Sequence, residues 1–236
     1  MSRLADLKRL YDILHRVQRR VGVHRLADCH GRMKWPQRGV YFFFEAGEER
    51  TTSGTGPRVV RVGTHALTAS STTTLWNRLS QHRGVASTGG GNHRGSIFRL
   101  LVGEAFLKRD GVGVGTWGVG SSQSEGARRC GLPVPVLQAS ELPIERDVTR
   151  IIGAMPFVWV EVGDAPGPDS RRARIERNAI ALLSNFGKES IDPPPASWLG
   201  LYSGRNRVRA SGLWNNDHVE KPYDAGFLDV VDVQAG

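Results

Sequence analysis

Residues 39–63 read GVYFFFEAGEERTTSGTGPRVVRVG, and this stretch decides the fold. An apolar and aromatic run, GVYFFFE (39–45), is followed by a polar, glycine-rich stretch to Pro57 and then by RVVRVG (58–63). Runs of this kind bounded by turn-forming residues predict two strands joined by a long hairpin loop. Beyond them, a Ser/Thr cluster able to cap a helix precedes TLWNRLSQHRG (74–84), in which Leu75 and Leu79 share one stripe. SIFRLLVGEAFLKR (96–109) is a second helical candidate, and STGGGNHRG (87–95) reads as a flexible link between the two.

Further along, residues 111–140 hold many of the glycines and read as irregular. ERDVTRIIGAM (145–155) fits a short helix or strand, FVWVEVG (157–163) alternates as a strand does, and RARIERNAIALLSNFG (172–187) carries the strongest helical period in the chain. On the N-terminal side, Leu4, Leu7, Tyr11, Leu14 and Val17 recur at helical spacing with Arg and Lys mostly elsewhere. That amphipathic helix is expected to dock on the core, with a DNA-gripping arm or a dimer contact as the other readings. The tail from Asp192 is punctuated by proline, and SWLG (197–200) and SGLWNNDHV (211–219) supply aromatic anchors.

Composition narrows the function classes. The chain has 236 residues, 39% of them hydrophobic, enough for one core with extensions. It contains no run of about 18 apolar residues. Its N-terminus alternates Leu with Lys, Arg and Asp, so neither a membrane span nor a signal peptide is expected and the cytoplasm is the predicted location. Cys29 and Cys130 are too few for a disulfide framework and lack zinc-site spacing. Lys and Arg total 32 against 23 Asp and Glu, a formal net charge of +9, which points to a polyanionic partner. Gly113–Gly118 spells GxGxxG but follows a helical segment and opens no long helix, so it reads as loop.

The order of elements resembles the GIY-YIG nuclease module. Gly39-Val40-Tyr41 stands where that family has GIY, and Arg61-Val62-Gly63 where it has YIG, with arginine replacing the second tyrosine. Arg78 matches the arginine of the following helix, His82 one turn later matches a histidine found in some restriction endonucleases of the family, and Glu176 matches its metal-binding glutamate. The resemblance spans roughly residues 38–190. It implies an α/β fold, a small, mainly antiparallel three-stranded central sheet flanked by helices. Residues 1–37 would be an N-terminal helical arm and 38–236 the nuclease domain, with an insertion over about 83–155 and a C-terminal extension over about 192–236.

Function follows from the same resemblance: a metal-dependent endonuclease of double-stranded DNA, serving in restriction or genome defence. Phosphodiester hydrolysis needs an activated water, positive charge for the developing transition state, and a divalent metal. Glu176 faces the apolar side of its helix and would hold Mg²⁺ or Mn²⁺. Tyr41 would activate water, a role that asks for cations near its phenol, and Arg61 and Arg78 would supply them. Arg61 cannot itself be a base. His82 would relay a proton or bind phosphate, and His65 is a substitute candidate otherwise read as an ordinary loop residue. Arg171, Arg172 and Arg174 open the Glu176 helix with charge that opposes its positive end unless phosphate lies nearby, so they are candidate nucleic-acid contacts. Asn185, Asn215 and Asn216 are candidates for the family's supporting asparagine, and Asn215 best fits the tail pattern. Cutting both strands with one site per chain favours a homodimer. The competing reading is a catalytically silent nucleic-acid-binding protein, with Arg61 as its main support.

Overall fold

A computed structural model describes residues 2–235. Among these residues the sheet has four antiparallel strands in the order β1-β4-β2-β3: β1 His24–Arg25, β2 Gly39–Glu49, β3 Pro57–Gly63 and β4 Pro156–Glu161. The three expected strands form the body of the sheet. The fourth is a two-residue edge strand, His24 and Arg25 opposite Phe157 and Pro156, too short to leave a period in the sequence.

Both faces of the sheet are covered, which is why β2 reads as a continuous apolar run and not as an alternation. Val40, Phe42 and Phe44 enter one core, shared with α1 (Arg3–Val21), α6 (Arg171–Leu183) and α8 (Phe227–Ala235). Tyr41 and Phe43 enter the other, shared with α2 (Leu75–Arg83), α3 (Ile97–Asp110) and α5 (Val134–Ala154). The apolar stripe of α1 is buried, as expected of a helix docked on the core, and its outer cations Arg9 and Arg16 pair with Asp229 and Asp232 of α8.

The insertion is more ordered than its composition implies. Within 111–140, which read as irregular, lie α4 (Gln123–Cys130) and the first turns of α5. Glycine obscures α4 because Gly126 lies buried within the helix and Gly131, at φ 66°, ends it in the left-handed conformation, while Ser122 caps the start. The 145–155 segment is the second half of α5, which continues through Pro143 because Leu137, Glu141, Ile144, Val148 and Ile152 bury one face throughout. Nor is the 87–95 segment a free link. His93 is buried, stacks on Trp117 at 3.9 Å, and its backbone N–H donates to Glu145 Oε1 at 2.7 Å.

The tail covers the outer edge of β3, a row of peptide groups that would otherwise template pairing with another chain. Trp214 N–H donates to Val60 O at 2.7 Å, and Arg58 Nη1 to Gly212 O at 2.6 Å. Asn215 acts as a strand in miniature: its Oδ1 accepts from Val62 N–H at 3.1 Å and its Nδ2 donates to Val62 O at 2.9 Å. The aromatic anchors expected at Trp198 and Trp214 are both buried, and both indoles donate to Glu45 Oε2 at 3.1 Å. α7 (Asn206–Ser211) joins the two anchor segments.

Replacing Asn215 with alanine leaves two peptide groups of β3 without partners. We expect a stability loss of about 1–3 kcal/mol, measured as a lower urea midpoint at unchanged m-value.

Candidate active site

Tyr41 of β2 lies directly opposite Gly63 of β3. A Cβ at position 63 would collide with the phenol ring and its hydroxyl, so this glycine is required by the ring that crosses it. So placed, Tyr41 Oη meets His82 Nε2 at 2.8 Å. His82 comes from α2, whose N-cap Thr74 and Asn77 form a capping box and whose Leu75, Leu79 and His82 make up the buried face.

The other ring nitrogen of His82 meets a helix cap. Ser96 caps α3, its Oγ accepting from Arg99 N–H at 3.2 Å, and lies 2.7 Å from His82 Nδ1. The two ring nitrogens thus join the Ser96 hydroxyl on one side to the Tyr41 phenol on the other. Burial, then Arg78, Arg61 and Arg99, hold the His82 pKa well below that of an ordinary histidine, so the ring is neutral near pH 7.

Arg61 reaches the same place through the strand register. Phe43 faces Arg61 in unbroken register with Tyr41 and Gly63, so the arginine shares the Tyr41 side, and the bulge that follows, where Phe44 faces Val59, places Val60 on that side as well. Its guanidinium is buried, lies 5.4 Å from the Phe98 ring and donates through Nη1 to Trp214 O. Burial lowers its pKa, Tyr41 and Glu176 oppose that shift, and Arg78 adds to it. The group remains charged. Arg78, on the flank of α2, is half-buried, and its Nη1 donates to Gln81 Oε1 at 2.8 Å and Gly95 O at 3.1 Å.

Glu176 arrives from α6 on the far side of β3. Its Oε1 accepts from Thr64 N–H at 3.0 Å, one residue past Gly63. Burial raises its pKa; Arg61, the Thr64 N–H and Arg78 pull it down, and Asp217 pushes it up. No set of three or more His, Cys, Asp or Glu among the described residues is arranged to hold a metal. Glu176 offers a lone carboxylate with one oxygen held by the Thr64 N–H, a donor that suits a hard cation whose shell water and phosphate oxygens would complete.

Other candidates fall elsewhere. Arg172 is fully buried: Nε pairs with Asp164 at 2.6 Å, and its remaining donors reach the carbonyls of His65 and Ala165. Asp164 also accepts from Arg171 N–H at 2.5 Å, so this carboxylate supplies the negative charge that the start of α6 needs and that the arginine run had suggested a phosphate would supply. Arg171 is exposed, and Arg174 pairs with Asp224 at 2.7 Å on the surface. Asn215 holds the β3 edge. Asn185 binds Ile191 N–H and Arg3, and Asn216 touches Asp217 at the surface. His65 lies in the irregular segment after β3 and is buried there. Sequence reasoning missed Ser96 and Thr64. Ser96 was legible as a helix cap, but its bond to His82 depends on how α2 and α3 meet.

Against known proteins, a family model described as "GIY-YIG domain" matches residues 1–235. No curated protein and no solved structure matches the chain.

Two of the buried histidines, His65 and His82, make stability depend on pH. Burial, then Arg172, lower the His65 pKa to about 4, while His82 lies well below its ordinary value. The unfolded chain takes up these protons near pH 6.5 and the fold does not, so stability is complete above that pH and is lost as the pH falls, by about 1.4 kcal/mol per unit for each histidine. For His65 the loss ends near pH 4. Urea unfolding between pH 7 and 4.5 should show this slope, and His65→Asn should reduce it by one histidine's share.

Proposed function

The chain belongs to the GIY-YIG domain family, whose members are nucleases, and from that membership and the site geometry we propose that it is a divalent-cation-dependent endonuclease of double-stranded DNA. The observation that carries the reading is convergence. Tyr41, Arg61, Arg78 with His82, and Glu176 come from four different elements, and the two arginines act electrostatically on both His82 and Glu176. A purely binding protein has no use for a desolvated carboxylate beside a phosphate, which it repels.

In this reading Glu176 would hold Mg²⁺ or Mn²⁺, which when bound supplies Lewis-acid activation of the phosphate. Tyr41 is the base, its oxygen held 2.8 Å from His82 Nε2 and within the electrostatic reach of the Arg61 guanidinium. It takes a proton from the attacking water as the new O–P bond forms and the bond to the leaving oxygen breaks. The leaving oxygen takes a proton from solvent. Arg78 faces the charge that gathers on the phosphate. His82 positions Tyr41 and is not itself the base, because its surroundings oppose a second proton. Arg61 takes the place of the second tyrosine as a cation, which preserves the electrostatic half of the site.

No helix among the described residues is long and apolar enough to cross a membrane. We place the enzyme in the cytoplasm, in restriction or genome defence, acting as a homodimer so that two sites cut the two strands. Arg171, exposed at the start of α6, is the candidate contact of its trio best placed to meet the duplex.

Purified protein should cut plasmid DNA with Mg²⁺ and stop with EDTA. Glu176→Gln and Tyr41→Phe should each lower the rate by roughly a thousandfold, on the scale of the several kcal/mol a metal or a catalytic base contributes. Salt-sensitive binding without cutting on any substrate would instead favour the silent binding protein, with Arg61 as the departure responsible.

A further inference from the structure

Residues 22–38 contain four cations, Arg25, Arg32, Lys34 and Arg38, against a single acid, Asp28. Arg25, Arg32 and Lys34 are exposed, and none of them is ion-paired among the described residues. Arg9, Arg109, Arg129, Arg174 and Arg207 each pair with a carboxylate, while Arg128 and Arg177, also exposed and unpaired among the described residues, do not cluster in one short segment.

This segment is built rigidly along α2. Arg83 Nε donates to Leu26 O at 3.1 Å near one end of the helix, and Leu75 N–H donates to Gln37 O at 3.0 Å at the other. Between them Trp35 stacks on Trp76 with centroids 5.1 Å apart and planes 21° apart, and lies 4.9 Å from Trp159. The tip closes on itself, since His30 O accepts from both Met33 N–H at 3.2 Å and Trp35 Nε1 at 3.0 Å. Arg32 and Lys34 therefore sit on a preformed turn just before an anchored indole, and little loop entropy is lost when they meet a ligand. Trp76 and Arg83 are seven residues apart and share one flank of α2, whereas Arg78 leaves from the other. The turn therefore lies on the order of one helix diameter, about 10 Å, from the site.

We propose that the 25–38 segment is a preformed clamp for the phosphate backbone of the substrate duplex beside the bond that is cut. Arg25, Arg32 and Lys34 bind phosphates, and Trp35 positions the turn without touching the reaction. The inference rests on the nuclease reading above, because it assigns a surface to that reading's substrate.

The test measures binding of a fluorescein-labelled DNA duplex by anisotropy across a salt series, in a Glu176→Gln background that cannot cut. Arg32→Glu with Lys34→Glu is compared with Lys108→Glu and Arg128→Glu, two exposed cations outside the segment that change the net charge equally. The clamp predicts at least roughly tenfold weaker binding for the first pair, and a log–log salt slope smaller by about 0.9 for each phosphate that the protein no longer neutralises. It also predicts less than roughly threefold weakening for the second pair. Equal effects of the two pairs, in a protein whose Glu176 form still cuts DNA, would overturn the clamp and leave the nuclease standing. A Glu176 form that neither binds nor cuts DNA would overturn both.

Discussion

A phenol ring laid across a glycine sets the geometry of this molecule. Because Tyr41 and Gly63 are cross-strand partners and position 63 has no side chain, the ring lies over β3 and its hydroxyl points to α2, where His82 waits at 2.8 Å. The next residue, Thr64, has its backbone N–H free to hold Glu176. One register thus brings the aromatic hydroxyl and the carboxylate together from opposite sides of the same strand. A slip by one residue would send Tyr41 into the α1 core and place Phe42 against the histidine.

Much of the chain's basic character is structural. Arg58 pairs with Glu48, Arg94 with Glu141, Arg99 with Glu145 and Arg172 with Asp164, all with side chains nearly removed from solvent. Removing one partner of such a pair strands a buried charge at a cost of about 3–5 kcal/mol. Arg99 shows the use of such a residue: besides Glu145 it binds His82 O at 2.9 Å and Thr149 Oγ1 at 2.9 Å, so one side chain joins α2, α3 and α5 behind the site. A net charge of +9 therefore overstates what is free to meet a polyanion. The informative quantity is which cations lack carboxylates.

The parts of the fold carried by local pattern were legible. The 39–45 and 58–63 runs, the cap before Leu75 and the period around Glu176 all mark elements that form. Tyr41, Arg78, His82 and Glu176 were legible too, because each sits at a fixed offset from such an element. What the sequence hid depends on tertiary placement. Arg172 and Arg171 are adjacent letters of the same type, yet the first is buried on Asp164 and the second is exposed, a difference settled by which side of α6 meets the sheet. Asn215 looked like a polar residue open to a ligand because its partners, the Val62 peptide groups, are 153 positions away and carry no side-chain signature. Helix α4 was hidden by glycines that do not break it, Gly126 buried inside it and Gly131 capping its end.

Arginine at position 61 does something a tyrosine there could not do in the same way. Its fork extends in two directions, one arm donating to the Trp214 carbonyl on the tail and the rest lying within the electrostatic reach of Tyr41 and Glu176. Trp214 is in turn held by Val60 O and by Glu45, and its neighbour Asn215 by Val62. The tail and the candidate-site groups therefore share one strand and one side chain. If the 212–215 segment left the β3 edge, Arg61 would lose the carbonyl that orients it, and a buried guanidinium with fewer acceptors would turn toward whatever anion it could find. Docking of the C-terminal extension is thus part of what shapes the site, and the substitution that departs from the family motif is the residue through which that coupling runs.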